Sequence, residues 1–242
     1  MKCKMCGLEK PLVDAHIIPR SFYEPLQENG QTPRIVTDIA GEYPKRSPTG
    51  VYDKEIVCQK CEQLFSPWDD YGNSFLNQEM KDGHYIISEG ERVAYNFGGC
   101  DYQKLKLFFL SVLWRASVSN QKIFHNVRLG PFEGKLRSML QSKDPGDNRE
   151  FAVALSKFDV PANQTGILDP DKTRYNGVIH YRLYMAGYMA ILKVSRQVGS
   201  TFGKLYISPN SDVLCIIRNF EQSKELHALQ HVVKNAKRPK EG

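Results

Sequence analysis

The chain has 242 residues, room for one large domain or two small ones, and its 41% hydrophobic and 25% charged residues are the proportions of a folded globular protein, not of a disordered or fibrous one. No apolar run approaches the roughly 20 residues that span a bilayer, and the N-terminus "MKCKMCGLEK" is too polar for a secretory leader, so a cytoplasmic protein with no membrane partner is expected. The net charge of +6 is uneven: residues 1–80 hold 9 Lys/Arg and 12 Asp/Glu, a net −3, whereas residues 81–242 hold 24 and 15, a net +9. Two differently solvated surfaces would give these numbers, and so would an acidic, cation-holding front behind which a basic region faces a polyanion.

The first element in the chain is a cysteine pair, Cys3/Cys6 in "CKMC", and a second pair follows at Cys58/Cys61 in "CQKC". Disulfides do not persist in a reducing cytoplasm. Two C-x-x-C pairs read instead as a tetrathiolate structural Zn2+ site, because that spacing lets both sulfurs of a tight turn point at one ion. A redox pair is the weaker reading, since no βαβ pattern surrounds either one. Cys100 and Cys215 stand alone and read as small buried apolar side chains.

Between the pairs, "VDAHII" is a short strand candidate and "PRSFYEPLQ" a turn of helix opened by Pro19. Residues 26–50 are rich in turn formers, with a short strand at "RIVTDI". "GVYDKEIVC" is a strand entering the second pair, and "CEQLFSPWDDYGNSFLNQEM" a helix that Pro67 can break. The composition shifts at "KDGHYI", and "SEGERVAYNFGG" holds a strand between loops. "DYQKLKLFFLSVLWRASVSN" is a helix capped by Asp101, with Trp114 in the core and Arg115 placed to pair with an acid. "GPFEGKLRSMLQS" is a further helix. "REFAVALSKF", "NGVIHYRLYMAGYMAILKVS", "FGKLYIS" and "SDVLCIIRN" are strands, although "MAGYMAILKV" also fits a helix. "EQSKELHALQHVVKNAKR" closes the chain as a helix with a basic tail. The expected class is α+β: a zinc-stapled unit over residues 1–80, then a mixed helix and strand region over 81–242 that grips substrate or a partner.

The ordered set "CKMC", "AHIIP" at 15–19 and "VCQKCE" at 57–62 resembles the HNH endonucleases, whose fold is a ββα-metal unit. The resemblance covers roughly residues 1–70. More loosely, "LWRAS" behind this front resembles a group of uncharacterised bacterial proteins. The resemblance implies a phosphodiester hydrolase acting on nucleic acid, DNA in the first instance; such nucleases serve in phage defence, mobile elements and repair, and the bacterial likeness makes phage defence the expectation. It makes His16 the general base and adds a catalytic Mg2+ or Mn2+. The residue before the histidine is commonly a metal-binding aspartate; here it is Ala15, and Asp14 points to the other strand face. Asp53 and Glu62 occupy the two further ligand positions, and Asp69 lies two helical turns beyond Glu62. Arg20, four residues after His16, is placed to meet a phosphate. The rival expectation is a zinc-stapled module that binds nucleic acid or protein without catalysis, Ala15 marking a lost site. A protein partner or a second copy of the chain remains open on either reading.

Overall fold

In the computed structural model of the chain, the helix expected after Asp101 runs over Tyr102–Val118, and every residue from Leu105 to Val118 is buried. The structure describes residues 1–27, 34–35, 45–47, 49–165, 167–195, 197 and 201–235. Asp101 caps the helix as expected, its side chain accepting from the Lys104 amide at 3.0 Å. A helix apolar on every side must be covered on every side. Two other helices, Gln59–Leu76 and Phe132–Ser142, pack against it. In chain order these three are α1, α2 and α3; α4 covers Lys224–Asn235.

Among the described residues the front of the chain holds four two-residue strands: β1 (Ala15–His16), β2 (Arg34–Ile35), β3 (Lys45–Arg46) and β4 (Tyr52–Asp53). β1 pairs antiparallel with β4, and β2 with β3. Short 3-10 turns at Arg20–Phe22 and Glu24–Leu26 follow Pro19, where a helical turn is expected. Of the expected strand at "RIVTDI", Arg34–Ile35 is extended and the rest lies outside the described residues, as does the basic tail beyond residue 235.

Seven strands form the main sheet: β5 (Tyr85–Ser88), β6 (Glu91–Asn96), β7 (Val153–Phe158), β8 (Asp171–Tyr175), β9 (Val178–Met185), β10 (Tyr188–Lys193) and β11 (Leu214–Arg218). Their order is β5-β6-β11-β7-β10-β9-β8, antiparallel throughout except for β11 beside β7. Its hairpins turn on two residues each: Glu89–Gly90, Asn176–Gly177 and Ala186–Gly187, every one with positive φ. That geometry matches the right-handed twist of the strands it joins.

Three expectations change here. "MAGYMAILKV" is a hairpin and strand, not a helix, because β10 pairs along both edges, with β7 and with β9. Tyr188, Ala190 and Leu192 enter the main core, while Met189 and Ile191 pack on the opposite face. "FGKLYIS" supplies a 3-10 turn at Gly203–Leu205 and a single bridge from Tyr206 to Ala154, not a strand. Pro67 does not break α1. It is exposed, and the buried seam of Phe65, Trp68, Phe75 and Leu76 continues past it.

The class is α+β, with four helices and one large sheet among the described residues. One apolar core runs through both ends of the chain, from Cys3 and Ile17 through Phe65 and Trp114 to Leu192 and Cys215. No helix among the described residues is long and apolar enough to cross a membrane.

Candidate functional site

The first knuckle is built by the backbone. The Gly7 amide donates to the Cys3 carbonyl at 2.8 Å, and the Cys3 amide to the Leu8 carbonyl at 3.0 Å. Gly7 has a φ of 74°, the left-handed conformation that glycine adopts without a Cβ penalty. The second knuckle is the start of α1. Cys58 is its N-cap, and the amides of Cys61 and Glu62 both donate to the Cys58 carbonyl.

The first knuckle and the chain after it then pair with the chain before the second. Lys4 donates to Ile56, Val13 to Val57 and Ile17 to Val51, all through backbone amides. This zipper brings the four sulfurs of Cys3, Cys6, Cys58 and Cys61 within 4.8 Å of one another. Cys6 Sγ and Cys58 Sγ are 4.0 Å apart. A tetrahedral ion with metal–sulfur bonds of about 2.3 Å sets its sulfurs about 3.8 Å apart, so the cluster fits a metal such as structural zinc. Burial and the three neighbouring thiols push the Cys61 thiol up. A bound cation supplies the charge that reverses this and holds thiolates.

The same zipper places His16. In the β1–β4 register, His16 faces Tyr52 and Ala15 faces Asp53. Side chains alternate along a strand, so His16 and Tyr52 share one face and Asp53 lies on the other. The half-buried His16 ring holds Nε2 at 2.8 Å from the Thr49 carbonyl. A carbonyl only accepts, so Nε2 carries the proton and Nδ1 is left with its lone pair. Burial lowers the His16 pKa below the ordinary histidine value; the Thr49 bond opposes this, and the charges of Arg115 and Arg20 add to it. Arg20 is exposed.

The three acids expected around His16 have different fates. Asp53 is buried, with Oδ2 accepting from Ser119 Oγ (2.9 Å) and the Asn120 amide (2.8 Å), and Oδ1 from the Glu55 amide. It ties β4 to the end of α2, and it faces away from His16. Asp69 forms a two-pronged pair with Arg115, at 2.9 and 2.6 Å. Glu62 alone has an uncommitted oxygen: Oε2 is buried without a hydrogen-bond partner. Burial pushes the Glu62 carboxyl up to about 7; Arg115 opposes the shift and Asp69 reinforces it.

Arg115 joins these pieces. Its side chain is fully buried on α2. Besides Asp69 it donates to the His16 carbonyl at 2.8 Å and to the Ser111 hydroxyl at 3.1 Å, and it lies 4.9 Å above the Phe65 ring. Pairing with an acid is the sequence expectation for Arg115. Its bond to the His16 backbone, and the Thr49 carbonyl that orients the ring, carry no signal in residue type. Among the described residues, the thiol cluster is the one group of three or more Cys, His, Asp or Glu side chains whose ligand atoms lie close enough to share an ion. The described residues therefore do not by themselves present a ready-made Mg2+ or Mn2+ site. Compared with protein-family models, curated proteins and solved structures, the chain matches none.

Proposed function

We propose that the chain is an HNH-like nuclease in which a structural zinc at Cys3, Cys6, Cys58 and Cys61 fixes a β1–β4–α1 unit, and His16 is the general base. The observation that carries the reading is the His16 ring. It is held by the Thr49 carbonyl in the tautomer that leaves Nδ1 bare, with its pKa lowered so that it is neutral at pH 7. A base must be unprotonated and within reach of water, and this ring is both oriented and half-exposed to solvent. Arg20 stands beside it to meet a phosphate of DNA.

A divalent cation would be held by Glu62 together with water and the substrate's own phosphate, the sharing that Mg2+ commonly shows, and would offset charge developing on the phosphoryl oxygens. Asp53 and Asp69 serve the fold and Ala15 offers no ligand, so the cation depends on substrate to complete its shell. A part in phage defence belongs to this proposal as its biological setting.

The test is plasmid nicking in Mg2+ or Mn2+ by wild type and His16→Ala. Loss of a general base costs about 10²–10⁴ in rate. Equal nicking by the two proteins would remove His16 from the chemistry. The second reading, a zinc-stapled binding module without catalysis, is favoured by the structural engagement of Asp53 and Asp69. It is distinguished by DNA binding with no divalent-dependent cleavage and no response to Glu62→Ala.

A further inference from the structure

Tyr52 sits directly across β1–β4 from His16, on the same face. The two ring centroids are 5.9 Å apart with the planes tilted by 57°. Among the described residues, the exposed large apolar side chains are Met1, Leu8, Tyr52, Ile86, Ile87 and Val93, so Tyr52 is the one aromatic in the set. At 36% exposure it stands at the margin of that set, and it lies outside both apolar cores. Part of the Tyr52 side chain therefore stays open to water, beside the candidate base.

The surroundings of Tyr52 are cationic. Lys54 Nζ lies 5.7 Å from the centre of the ring, and the Arg20 charge acts on the neighbouring His16. Among the described residues the one carboxylate paired with the Lys54 ammonium is Asp14, at 3.9 Å between two exposed side chains, a weak pair that leaves the charge available to a phosphate. A partly exposed ring beside cationic side chains is an arrangement by which proteins hold unpaired nucleic acid: the bases stack on the ring and the backbone lies along the charges. A paired base inside a duplex offers no free face to such a ring.

We propose that Tyr52 is a stacking platform for an unpaired nucleobase adjoining the phosphate that His16 serves, so that the site takes single-stranded or locally opened nucleic acid in preference to closed duplex. The proposal rests on the nuclease reading and assigns its substrate class. Lys54 then holds a phosphate beside the stacked base, and Arg20 one near His16.

The experiment measures binding apart from cleavage. Fluorescence anisotropy of a labelled single-stranded DNA oligonucleotide, and of the same sequence as a duplex, is followed without added divalent metal for wild type, Tyr52→Ala and Tyr52→Phe. Zinc content and thermal unfolding are recorded for each protein; Tyr52 lies outside both apolar cores, so its removal leaves them intact. Tyr52→Ala should weaken single-strand binding about fivefold or more, and Tyr52→Phe, which keeps the ring, should stay within about twofold of wild type. Duplex binding should change little in either variant. Unchanged single-strand affinity in Tyr52→Ala overturns the proposal, as does a wild type that binds neither oligonucleotide or prefers the duplex. A binding loss in Tyr52→Ala, with nicking that His16→Ala leaves intact, keeps the stacking site and discards His16 as the base. Wild-type affinity in Tyr52→Ala, with nicking abolished by His16→Ala, does the reverse.

Discussion

At the scale of single residues, the protonation of His16 is the most exposed to test. The unfolded chain takes up this proton near the ordinary value of 6.5, and the folded chain only at lower pH, because burial disfavours the cation. The contribution to stability is therefore complete above pH 6.5 and is lost as pH falls toward the folded value. The neutral base follows the same limb, so nicking should fall on acidification with a midpoint below pH 6.5; a midpoint above 7 would contradict the environment described for the ring. Arg115 is the second residue to test. Asp69→Ala leaves its guanidinium buried without a carboxylate, and breaking a buried pair from one side costs about 3–5 kcal/mol. Urea unfolding measures this, and a loss below about 1 kcal/mol would mean that the pair carries no more than a surface ion pair does.

At the scale of elements, the contact between α1 and α2 decides how His16, Glu62 and Asp69 are held. Glu62, Phe65, Asp69 and Gly72 recur at helical spacing on the face of α1 turned to α2. Gly72 lets the helices approach: a Cβ there would stand 2.4 Å from the Phe108 ring. Gly72→Ala removes a poor helix former, yet the overlap should dominate and destabilise by about 1–3 kcal/mol. Thermal unfolding checks the sign, and a more stable variant would show that Phe108 has room to move. The helices α1, α2 and α3 were legible because their apolar periodicity and the Asp101 cap are local signals. β8 was not expected, although Asn176–Gly177 between "DKTRY" and "VIHYRLY" is the strongest short hairpin signal there is. β10 was ambiguous for a different reason: a strand buried on both faces loses the alternation that distinguishes it from a buried helix.

At the scale of the whole molecule, the back of the chain helps to build the front. The Lys4 ammonium donates to the Val118 carbonyl at the end of α2, Gln141 of α3 donates to the Met5 carbonyl, and Ser119 and the Asn120 amide bind Asp53. Thiol cluster and core thus stabilise one another. Metal analysis should find one zinc per chain. Stripping it with a strong chelator, or Cys58→Ser, should lower the melting temperature by about 10 °C or more, because a structural site contributes its binding energy to folding. A metal-free protein with the melting temperature of the untreated one would refute a structural role for the cluster.

Local patterns alone determined the two cysteine pairs as one cluster, the three long amphipathic or buried helices, and His16 as the residue to watch. Those signals lie in spacing and residue type, which survive without knowledge of distant neighbours. Only the tertiary structure decided the rest of the site. Asp53 and Asp69 look like metal ligands in sequence, but donors from α2 and the loop after it, more than 40 residues away, claim both carboxylates. Tyr52 is one tyrosine among 12 in the chain until the β1–β4 register sets it beside His16. Which acid stays free and which ring stays exposed depends on long-range packing, and packing is written in no single stretch of the chain.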